Sequence, residues 1–248
     1  MTSIPASDTI VLITGANQGL GYECVKKLAA EQPDYHIILC SRDLSKGEAA
    51  TKTITNLARN TSVETLDLDV TSDESIEKAA KYVEVKYGRL DVLFNNAAIS
   101  RADEPTLRAE MLKVIDTNAV GAAIVTEAFI PLLRRAEVPR LLFMSSGLGS
   151  ITYTLLPFFP YYGLDGKPYL TSKAAMNMIG AQYAVKHGKE GFKVNMIDPG
   201  FRATNLNGYH EAAGKPIDGA TEACRLIIDS TKDGQHGTFT STEIIHPW

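Results

Sequence analysis

The sequence lacks the features that mark secreted, metal-dependent and nucleic-acid-binding proteins. Its 248 residues include only three cysteines, odd in number and without metal or redox spacing, so we interpret them as reduced thiols of a cytoplasmic protein. The five histidines are dispersed and no pair has the spacing of metal ligands, so no metal site is predicted. The formal net charge of −4 gives no electrostatic reason to expect a nucleic acid or an anionic membrane as a partner.

Long hydrophobic runs are also missing. No segment reaches the ~18 apolar residues of a membrane span. The first residues, MTSIPASDT, lead into an apolar strand without a basic region or a long apolar stretch. We therefore expect a soluble protein that is not exported. The composition, 44% hydrophobic and 22% charged, is ordinary for a globular chain, and the length suits one large α/β domain or two small ones.

Short apolar, β-branched runs alternate with longer stretches of helical spacing. The runs begin at Thr9, His36, Val63, Leu90, Arg140 and Lys193. This alternation predicts crossover units and a doubly wound parallel sheet with helices on both faces, an α/β fold. No internal repeat, low-complexity linker or shift of composition marks a boundary, so we predict a single domain over residues 1–248.

Two stretches interrupt this rhythm. GSITYTLLPFFPYYGLDGKP occupies residues 149–168, and FRATNLNGYHEAAGKPID occupies residues 201–218. Both are rich in glycine, proline and polar turn formers, and both exceed the ~12 to 15 residues beyond which a loop is commonly a lid or a binding segment. We expect these two loops to shape the substrate site.

The first predicted strand ends in TGANQGLG, which places Gly15, Gly19 and Gly21 between a strand and a helix. Glycines there let the backbone turn tightly and approach a pyrophosphate, while the following helix directs its free N–H groups at the anion. Tight packing of strand on helix is the alternative explanation of such a turn. The position at the first strand–helix junction of an alternating chain favours phosphate binding.

A tyrosine four residues before a lysine, Tyr169 with Lys173, could be an acid catalyst beside its electrostatic partner. Residues four apart share one face of a helix, so the ammonium could favour the phenolate. The spacing alone does not decide the matter, because two other pairs have it: Tyr22 with Lys26, and Tyr82 with Lys86.

The order of the motifs resembles that of the short-chain dehydrogenase/reductase family over nearly the whole chain, and among its members the NADPH-dependent carbonyl reductases. The motifs are TGANQGLG, NNAA at residues 95–98, Asn118, the pair Ser145 and Ser146, YLTSK, and PGFRAT at residues 199–204. The resemblance implies a Rossmann-like fold. It also selects Tyr169, because of the three tyrosine–lysine pairs only this one lies between the serine pair and the PG turn. The other two lysines are most simply solvated charges on helix faces.

The resemblance implies a role for each residue of the predicted catalytic set. Tyr169 would be the general acid in carbonyl reduction, and Lys173 would lower its pKa and hold the nicotinamide ribose. Ser146 would hydrogen-bond the substrate oxygen, while Ser145 would be structural. Asn118 would anchor a water that relays protons to Lys173, although a helix-interior amide bonded to backbone is the alternative reading of this residue.

The implied cofactor is NADPH/NADP+. At the end of the second strand, Ser41 stands where a protein that selects NAD usually has an acid, and Arg42 could grip a 2′-phosphate. Asp43 is the counter-evidence, but a role in a surface turn suits its position better. The predicted cofactor contacts are Gly15, Asn17, Gly19, Leu20, Gly21, Ser41, Arg42, Asp69, Val70, Asn96, Ala97, Tyr169, Lys173, Pro199, Gly200 and Thr204.

Two departures from the family pattern stand out. Ala98 replaces a common glycine, which is tolerable unless the residue needs a positive φ. The stretch between Ser146 and Tyr169 is roughly ten residues longer than usual for the family, and a loop of that length is commonly functional. Its apolar and aromatic residues could wall a hydrophobic pocket, or they could pack at the surface or against another subunit.

The predicted function is NADPH-dependent reduction of a ketone or aldehyde, apolar or aromatic, with Tyr169 as general acid. The alternatives are an NADP-dependent alcohol dehydrogenase working in the oxidative direction and a non-catalytic protein that senses the dinucleotide. The tail, DGQHGTFTSTEIIHPW, resembles the ending of monomeric carbonyl reductases, so a monomer or homodimer is favoured over a tetramer. We expect a small-molecule carbonyl substrate, with no nucleic acid and no membrane as partner.

Overall fold

All six predicted strands form, and a seventh joins them. The computed structural model describes residues 5, 7–242 and 244–248. The expectation that the N-terminus carries no export signal falls mostly on residues 1–4 and 6, which lie outside the described residues. The strands are β1 (Thr9–Ile13), β2 (Tyr35–Ser41), β3 (Ser62–Asp67), β4 (Val92–Asn95), β5 (Arg140–Met144), β6 (Lys193–Ile197) and β7 (Thr238–Thr240).

The strands make one parallel sheet in the order β3-β2-β1-β4-β5-β6-β7. The chain runs outward from β1 to β3 and then returns to place β4 on the other side of β1. At such a switch point the connections leave in opposite directions and open a crevice at the carboxyl ends of the strands, where ligands bind in doubly wound proteins. The predicted fold class is confirmed.

Eight helices cover the two faces of the sheet in the described residues. They are α1 (Gly19–Glu31), α2 (Leu44–Lys52), α3 (Asp73–Tyr87), α4 (Leu107–Ile115), α5 (Gly121–Leu133), α6 (Ile151–Thr154), α7 (Lys167–His187) and α8 (Pro216–Ile228).

The core has two layers because the side chains of each strand alternate between the faces of the sheet. On β1, Ile10 and Leu12 pack into the layer that includes buried side chains of α3, α5 and α7. Val11 and Ile13 face the opposite layer, which includes buried side chains of α1 and α8. We propose that residues 1–248 form one domain, because every strand belongs to the same sheet and both layers pack on it.

The two predicted loops contain regular structure. In residues 149–168, α6 begins at Ile151 and α7 already begins at Lys167. In residues 201–218, a 3-10 turn occupies Asn205–Asn207, Arg202 bridges to Gly214, and α8 begins at Pro216. The expectation of continuous loops is therefore wrong at these points, because Ser150 caps α6 through its side chain and Pro168 and Pro216 lie in the first turns of α7 and α8.

The tail returns to the sheet after β7. Thr240 pairs with Ile245 in an antiparallel bridge, and the backbone N–H of His246 donates to Phe239 O at 2.7 Å. This backbone pairing brings His246 beside the end of the neighbouring strand β6.

One continuous helical stretch, Leu107–Leu133, is long and apolar enough by length and composition to cross a membrane. It comprises α4, a π-helical turn at Asp116–Val120, and α5. Of its apolar window, 56% is buried inside the fold, and Val125 and Phe129 belong to the core. A buried apolar helix of this kind is typical of the core of an α/β protein.

Candidate active site

The predicted phosphate-binding turn lies at the switch point, between β1 and α1. Gly15 and Gly19 have φ near +60°, a conformation that favours glycine. A Cβ on Gly21 would lie 2.4 Å from Nδ2 of Asn96 and 3.0 Å from the Cα of Ala16. Close packing therefore requires glycine at position 21, which agrees with the alternative explanation of the glycines as tight packing of strand on helix. The first N–H groups of α1 still lie at the crevice, where an anion can bind them.

Asn96 holds this turn in place. Its side-chain nitrogen donates to Thr14 O at 2.8 Å and to Gly15 O at 3.2 Å. The backbone N–H groups of Asn96 and Ala97 both donate to Oγ1 of Thr14. The side chain of Asn96 is thus engaged with the protein, so it orients the turn, while Ala97 packs against Gly15.

The three polar residues at the end of β2 have different environments. Ser41 is buried, and its hydroxyl donates to Asp43 O at 2.8 Å. Asp43 caps α2 by accepting from the backbone N–H of Lys46, and its carboxylate also pairs with the Lys46 ammonium. Asp43 is therefore occupied at the start of α2, and the absence of a role at the ribose stays a prediction. Arg42 is exposed, and in the described part of the chain no carboxylate pairs with its guanidinium.

The turn after β3 carries Asp69 and Val70. Asp69 Oδ1 accepts from both the backbone N–H and the hydroxyl of Thr71, which orders the turn. The carbonyl of Val70 lies against Gly121, where a Cβ would come within 2.5 Å of its oxygen. Ala98, at the end of β4, is not among the residues with positive φ, so the extra methyl needs no strained backbone.

The serine pair follows β5. Ser145 is buried and its hydroxyl donates to Oδ1 of Asn177, so the predicted structural role is confirmed. Ser146 is partly exposed, and its hydroxyl accepts from the backbone N–H of Leu148. The side chain of Ser146 also lies near enough to the hydroxyl of Tyr169 to act on its pKa, which it lowers. The structure therefore brings the two predicted catalytic hydroxyls together.

Geometry alone does not distinguish the three Tyr-x-x-x-Lys pairs. Each lysine ammonium lies over its tyrosine ring, at 4.9 Å from the centroid of Tyr22, 5.3 Å from Tyr82 and 5.7 Å from Tyr169.

Burial does distinguish them. The side chains of Lys26 and Lys86 are 41% and 43% exposed, whereas Lys173 is 1% exposed. A buried ammonium without a carboxylate partner is expensive, so its presence needs an explanation that the other two pairs do not.

In the chain without dinucleotide the pKa of Tyr169 is raised, so its lowering by Lys173 together with the nicotinamide charge stays a prediction. Burial raises the pKa of Tyr169 to about 12. The nearby Ser146 side chain acts to lower this pKa, and the negative charge of Asp198 acts to raise it. Burial likewise lowers the pKa of Lys173 to about 7. The cause is that desolvation penalises the charged form of both groups. The Lys173 ammonium donates to Met144 O at 2.7 Å.

Asn118 is fully buried in the π-helical turn between α4 and α5. Its side-chain oxygen accepts from Ile99 N, and its nitrogen donates to Ile99 O and to the hydroxyl of Ser172, each at 2.8 to 2.9 Å. The contacts with Ile99 fit the alternative reading of an amide bonded to backbone. The contact with Ser172 links Asn118 to the residue that precedes Lys173. π-Turns are frequent at functional sites. The relay water at Asn118 stays a prediction.

The loop after β6 lies against the phosphate-binding turn. Gly200 has φ +70° and donates its N–H to Asp198 Oδ1, while Pro199 O accepts from Nε of Arg202. A Cβ on Gly19 would meet Asn205 Oδ1 at 3.3 Å and the side chain of Thr204 at 3.7 Å. Thr204 therefore packs beside the glycine turn, and its contact with the carboxamide of nicotinamide stays a prediction.

Aromatic rings connect the insertion to this loop. Tyr153 stacks on Phe159 with centroids 4.9 Å apart, Phe159 meets Tyr161 at 5.5 Å, and Tyr161 meets Phe201 at 6.4 Å. Tyr161 and Phe201 keep 39% and 41% of their surface exposed. The four rings form a continuous aromatic wall across the two segments predicted to shape the substrate site. We call Tyr153, Phe159, Tyr161 and Phe201 the aromatic wall.

Sequence reasoning missed two residues at this edge, Asp198 and His246. Asp198 could have been found as an acid directly after a strand and before the PG turn. His246 carries no comparable signal, because only the return of the tail brings it there. Among the described residues, no group of three or more histidine, cysteine and acidic side chains could hold a metal ion.

The fold and the glycine turn at its switch point define a doubly wound, dinucleotide-binding type of α/β protein. The model of the short chain dehydrogenase family matches residues 9–214, so the chain belongs to that family. Members are oxidoreductases that use a nicotinamide dinucleotide and act on small molecules.

Named relatives agree with the family. The chain is 38% identical to a short-chain dehydrogenase of Penicillium roqueforti, an alignment that covers 91% of this chain and 89% of the relative. It is 27% identical to (+)-neomenthol dehydrogenase of Arabidopsis thaliana, with 93% and 95% covered. The NADPH-bound carbonyl reductase from chicken fatty liver has a similar structure, with a TM-score of 0.79, 25% identity, and 97% and 99% of the two chains covered.

Proposed function

We propose that this protein reduces a ketone or aldehyde to an alcohol with NADPH, using Tyr169 as the general acid. The observation that carries the proposal is the buried Lys173, whose ammonium lies over the ring of Tyr169, with Ser146 near the Tyr169 hydroxyl, at the same end of the sheet as the glycine turn. A dinucleotide lying across this edge from the glycine turn would bring its nicotinamide towards these hydroxyls.

The contacts available for the dinucleotide fit its chemistry. The free N–H groups at the start of α1, with Gly15, Gly19 and Gly21, suit the pyrophosphate. The exposed Arg42 and the nearby Asn17 suit a 2′-phosphate, and Thr204 suits the carboxamide of nicotinamide. When bound, the reduced nicotinamide would supply the hydride.

The protein's own part is to position the carbonyl and supply a proton. The Ser146 and Tyr169 hydroxyls converge, so both can donate to one carbonyl oxygen and polarise it. A pKa near 12 keeps Tyr169 protonated at neutral pH, which is the form that reduction needs. After donation, Lys173 would stabilise the phenolate and, with a water at Asn118, return a proton to it.

The aromatic wall supports an apolar or aromatic substrate. Ring faces that remain partly exposed at the edge of the site can stack on an aryl group or cover an alicyclic one, each contact contributing about 0.5 to 1.5 kcal/mol beyond burial. The insertion would then be a pocket wall and not a subunit contact. The name of the Arabidopsis relative denotes a dehydrogenase of an apolar cyclic alcohol, and such a compound agrees in size and polarity with the proposed substrate class. The same name keeps alcohol oxidation as the second candidate function.

The protein is proposed to be cytoplasmic, a location in which its three buried cysteine thiols would stay reduced. No partner beyond the dinucleotide and the small carbonyl compound is needed for the proposed reaction.

The test is a panel of carbonyl compounds that includes para-nitrobenzaldehyde, acetophenone, cyclohexanone and short aliphatic aldehydes. Carbonyl-dependent loss of NADPH absorbance, with the alcohol identified by mass spectrometry, is the expected result, and aryl members should turn over faster than short aliphatic ones. NADPH binding without turnover of any member would instead favour the dinucleotide-sensing protein. Turnover confined to alcohols with NADP+ would favour the oxidative direction.

A further inference from the structure

The tail contacts the first helix of the insertion at two successive residues. Trp248 O accepts from both the backbone N–H of Thr152, at 3.1 Å, and its hydroxyl, at 2.7 Å. The hydroxyl of Tyr153 lies 3.1 Å from Nδ1 of His246, at hydrogen-bond distance, and the two rings meet edge to face with centroids 5.8 Å apart. This part of the tail therefore lies against α6.

The tail is itself anchored on the core. The backbone N–H of Ser241 donates to Ile244 O at 3.0 Å, and that of His246 donates to Phe239 O at 2.7 Å, so the chain reverses its direction after β7. The ring of Trp248 stacks on Phe239 with centroids 5.8 Å apart, and the ring of His246 lies 5.0 Å from the same side chain. Phe239 is fully buried. Through the tail, α6 is thus attached to the sheet.

The insertion has little of its own that could fix its position. Residues 151–165 are all described, and none of them is buried. A segment without buried residues gains little from the hydrophobic effect to offset the entropy lost when it is ordered. Contacts with other elements therefore decide where it lies. The tail supplies such contacts at α6, and Phe201 supplies one at Tyr161.

Tyr153 connects these contacts to the aromatic wall. Its ring stacks on Phe159 at an interplanar angle of 16°, and Phe159 leads through Tyr161 to Phe201. Stacked rings keep their contact only over a narrow range of positions, so a displacement of Tyr153 displaces Phe159 as well. The tail thus acts on the ring surface that the wall offers to a substrate.

We propose that the tail is a specificity-determining part of the substrate site: Trp248 and His246 hold α6, and α6 holds the aromatic wall where an aryl or alicyclic group stacks. Thr152, His246 and Trp248 are positioning residues, because they act through Tyr153. The proposal rests on the proposed function, in which the wall covers an apolar substrate. A short aliphatic aldehyde does not reach the wall, so its reduction is insensitive to the tail.

The test is the double variant Thr152→Val with Tyr153→Phe, which removes both side-chain contacts with the tail and keeps the ring of the wall. No side chain of α6 is buried, so the change leaves the core intact. In reduction with NADPH, KM for para-nitrobenzaldehyde should rise by about three- to tenfold, because two hydrogen bonds that order the wall are lost. The value of kcat should stay within about twofold, and KM for propanal should not change.

Two further variants make this result specific to the tail. Thr154→Val removes the other threonine hydroxyl of α6, which donates to Ser150 O at 3.0 Å and not to the tail, so it should leave both KM values unchanged. Thr152→Ser with Tyr153→Phe keeps a hydroxyl donor for Trp248 O, so its rise in KM for para-nitrobenzaldehyde should be smaller than that of the double variant.

A second readout needs neither dinucleotide nor turnover. Trp248 is the single tryptophan of the chain, so its fluorescence reports directly on the tail. In wild type its side chain is 46% exposed and stacks on Phe239. In the double variant the emission should shift to longer wavelength, and acrylamide should quench it more strongly, because the released ring is more often in water.

The outcomes separate this proposal from the proposed function. Unchanged emission and quenching of Trp248 in the double variant would overturn the attachment of the tail to α6 through these side chains. A shifted emission with KM for para-nitrobenzaldehyde unchanged, or with both aldehydes affected equally, would overturn the role in specificity and leave the proposed function standing. No reduction of the carbonyl panel by wild type would overturn the proposed function, and the role in specificity with it.

Discussion

Arg42 at the end of β2 is the residue that we expect to select the cofactor. It is exposed, and its neighbour Asp43 is engaged at the cap of α2 and with Lys46, so the guanidinium is available to a 2′-phosphate. Ser41, where an acid would repel that phosphate, is neutral and buried. A charge-assisted contact of this kind contributes a few kcal/mol at most, so wild type should prefer NADPH to NADH by roughly ten- to a thousand-fold.

Replacing Arg42 with Ala should weaken NADPH binding by about that factor and leave NADH nearly unchanged. The control is Arg59→Ala, which removes an exposed guanidinium shortly before β3, at the amino end of the sheet, and should alter neither affinity. Titration of each nucleotide by calorimetry measures both. If wild type binds NADH as tightly as NADPH, the role given to Arg42 is wrong.

Lys173 makes the free protein less stable at neutral pH than it could be. Its pKa falls from 10.5 to about 7 on folding, so between these values the unfolded chain binds more protons than the folded one and stability rises with pH. The penalty is fully present below pH 7 and is relieved as pH approaches 10.5. Lys173→Met removes the penalty but also the hydrogen bond to Met144, so we expect a net gain of about 1 to 3 kcal/mol near pH 7.

Urea unfolding of the free protein at pH 7 and near pH 10 measures this effect. The advantage of Lys173→Met should shrink at the higher pH, while turnover is lost at both. Lys26→Met, at the exposed lysine of a pair with the same spacing, should change the free energy of unfolding by less than about 0.5 kcal/mol. A destabilised Lys173→Met at pH 7 would contradict the view that Lys173 is retained for function.

At the scale of elements, the sequence predicts what depends on local pattern. Six strands were recognised because each is a β-branched run between turn signals. β7 was missed because it has three residues, Thr238–Thr240, in a polar tail and exists through pairing with β6. The π-turn around Asn118 was missed for a similar reason, since its extra residue is fixed by contacts with Ile99 and Ser172 that lie 19 and 54 residues away. Tertiary contacts decide such features, and local propensity does not.

In the candidate site, too, local pattern predicted some features while others depend on tertiary contacts. Motif order and spacing predicted Ser146, Tyr169 and Lys173, and the structure brings these three together. The pKa values could not be predicted from spacing, because they depend on burial and on Asp198, which is 29 residues from Tyr169 in the chain. The contact of His246 with Tyr153 could not be predicted either, because it depends on the return of the tail to the sheet.

The segment of residues 201–218 is expected to tighten when the dinucleotide binds. It contacts the glycine turn through Thr204 and Asn205, and the Ser100 hydroxyl donates to Leu206 O at 2.7 Å. Gly208, with φ +66°, lies between these contacts and the Arg202–Gly214 bridge and can act as a hinge. Amide hydrogen exchange in this segment should slow on adding NADP+, with α3 as an internal reference. Equal exchange with and without nucleotide would count against a lid.

At the scale of the whole molecule, the apolar surface of α5 and α7 bears on assembly. Val120, which precedes α5, and Ile124 are 44% and 40% exposed, and Met178 and Val185 on α7 are 61% and 84% exposed. Exposed apolar side chains in such numbers on neighbouring helices are typical of an interface. Of the monomer and homodimer favoured by the sequence, this surface favours a homodimer in which the same face of two copies meets. Light scattering at micromolar concentration should show it, and Val185→Glu should give monomers. A tetramer at low concentration would overturn this expectation.

The central claim, that Tyr169 donates the proton in carbonyl reduction, is tested most directly by replacing Tyr169 with Phe. This change removes one hydroxyl and keeps the ring. Turnover of para-nitrobenzaldehyde with NADPH should fall by about a hundred- to ten-thousand-fold, the usual contribution of a general acid, while NADPH binding stays within about threefold of wild type. Tyr82→Phe, at a tyrosine with the same lysine spacing on α3, should leave both unchanged. Turnover in Tyr169→Phe equal to that of wild type would contradict the account.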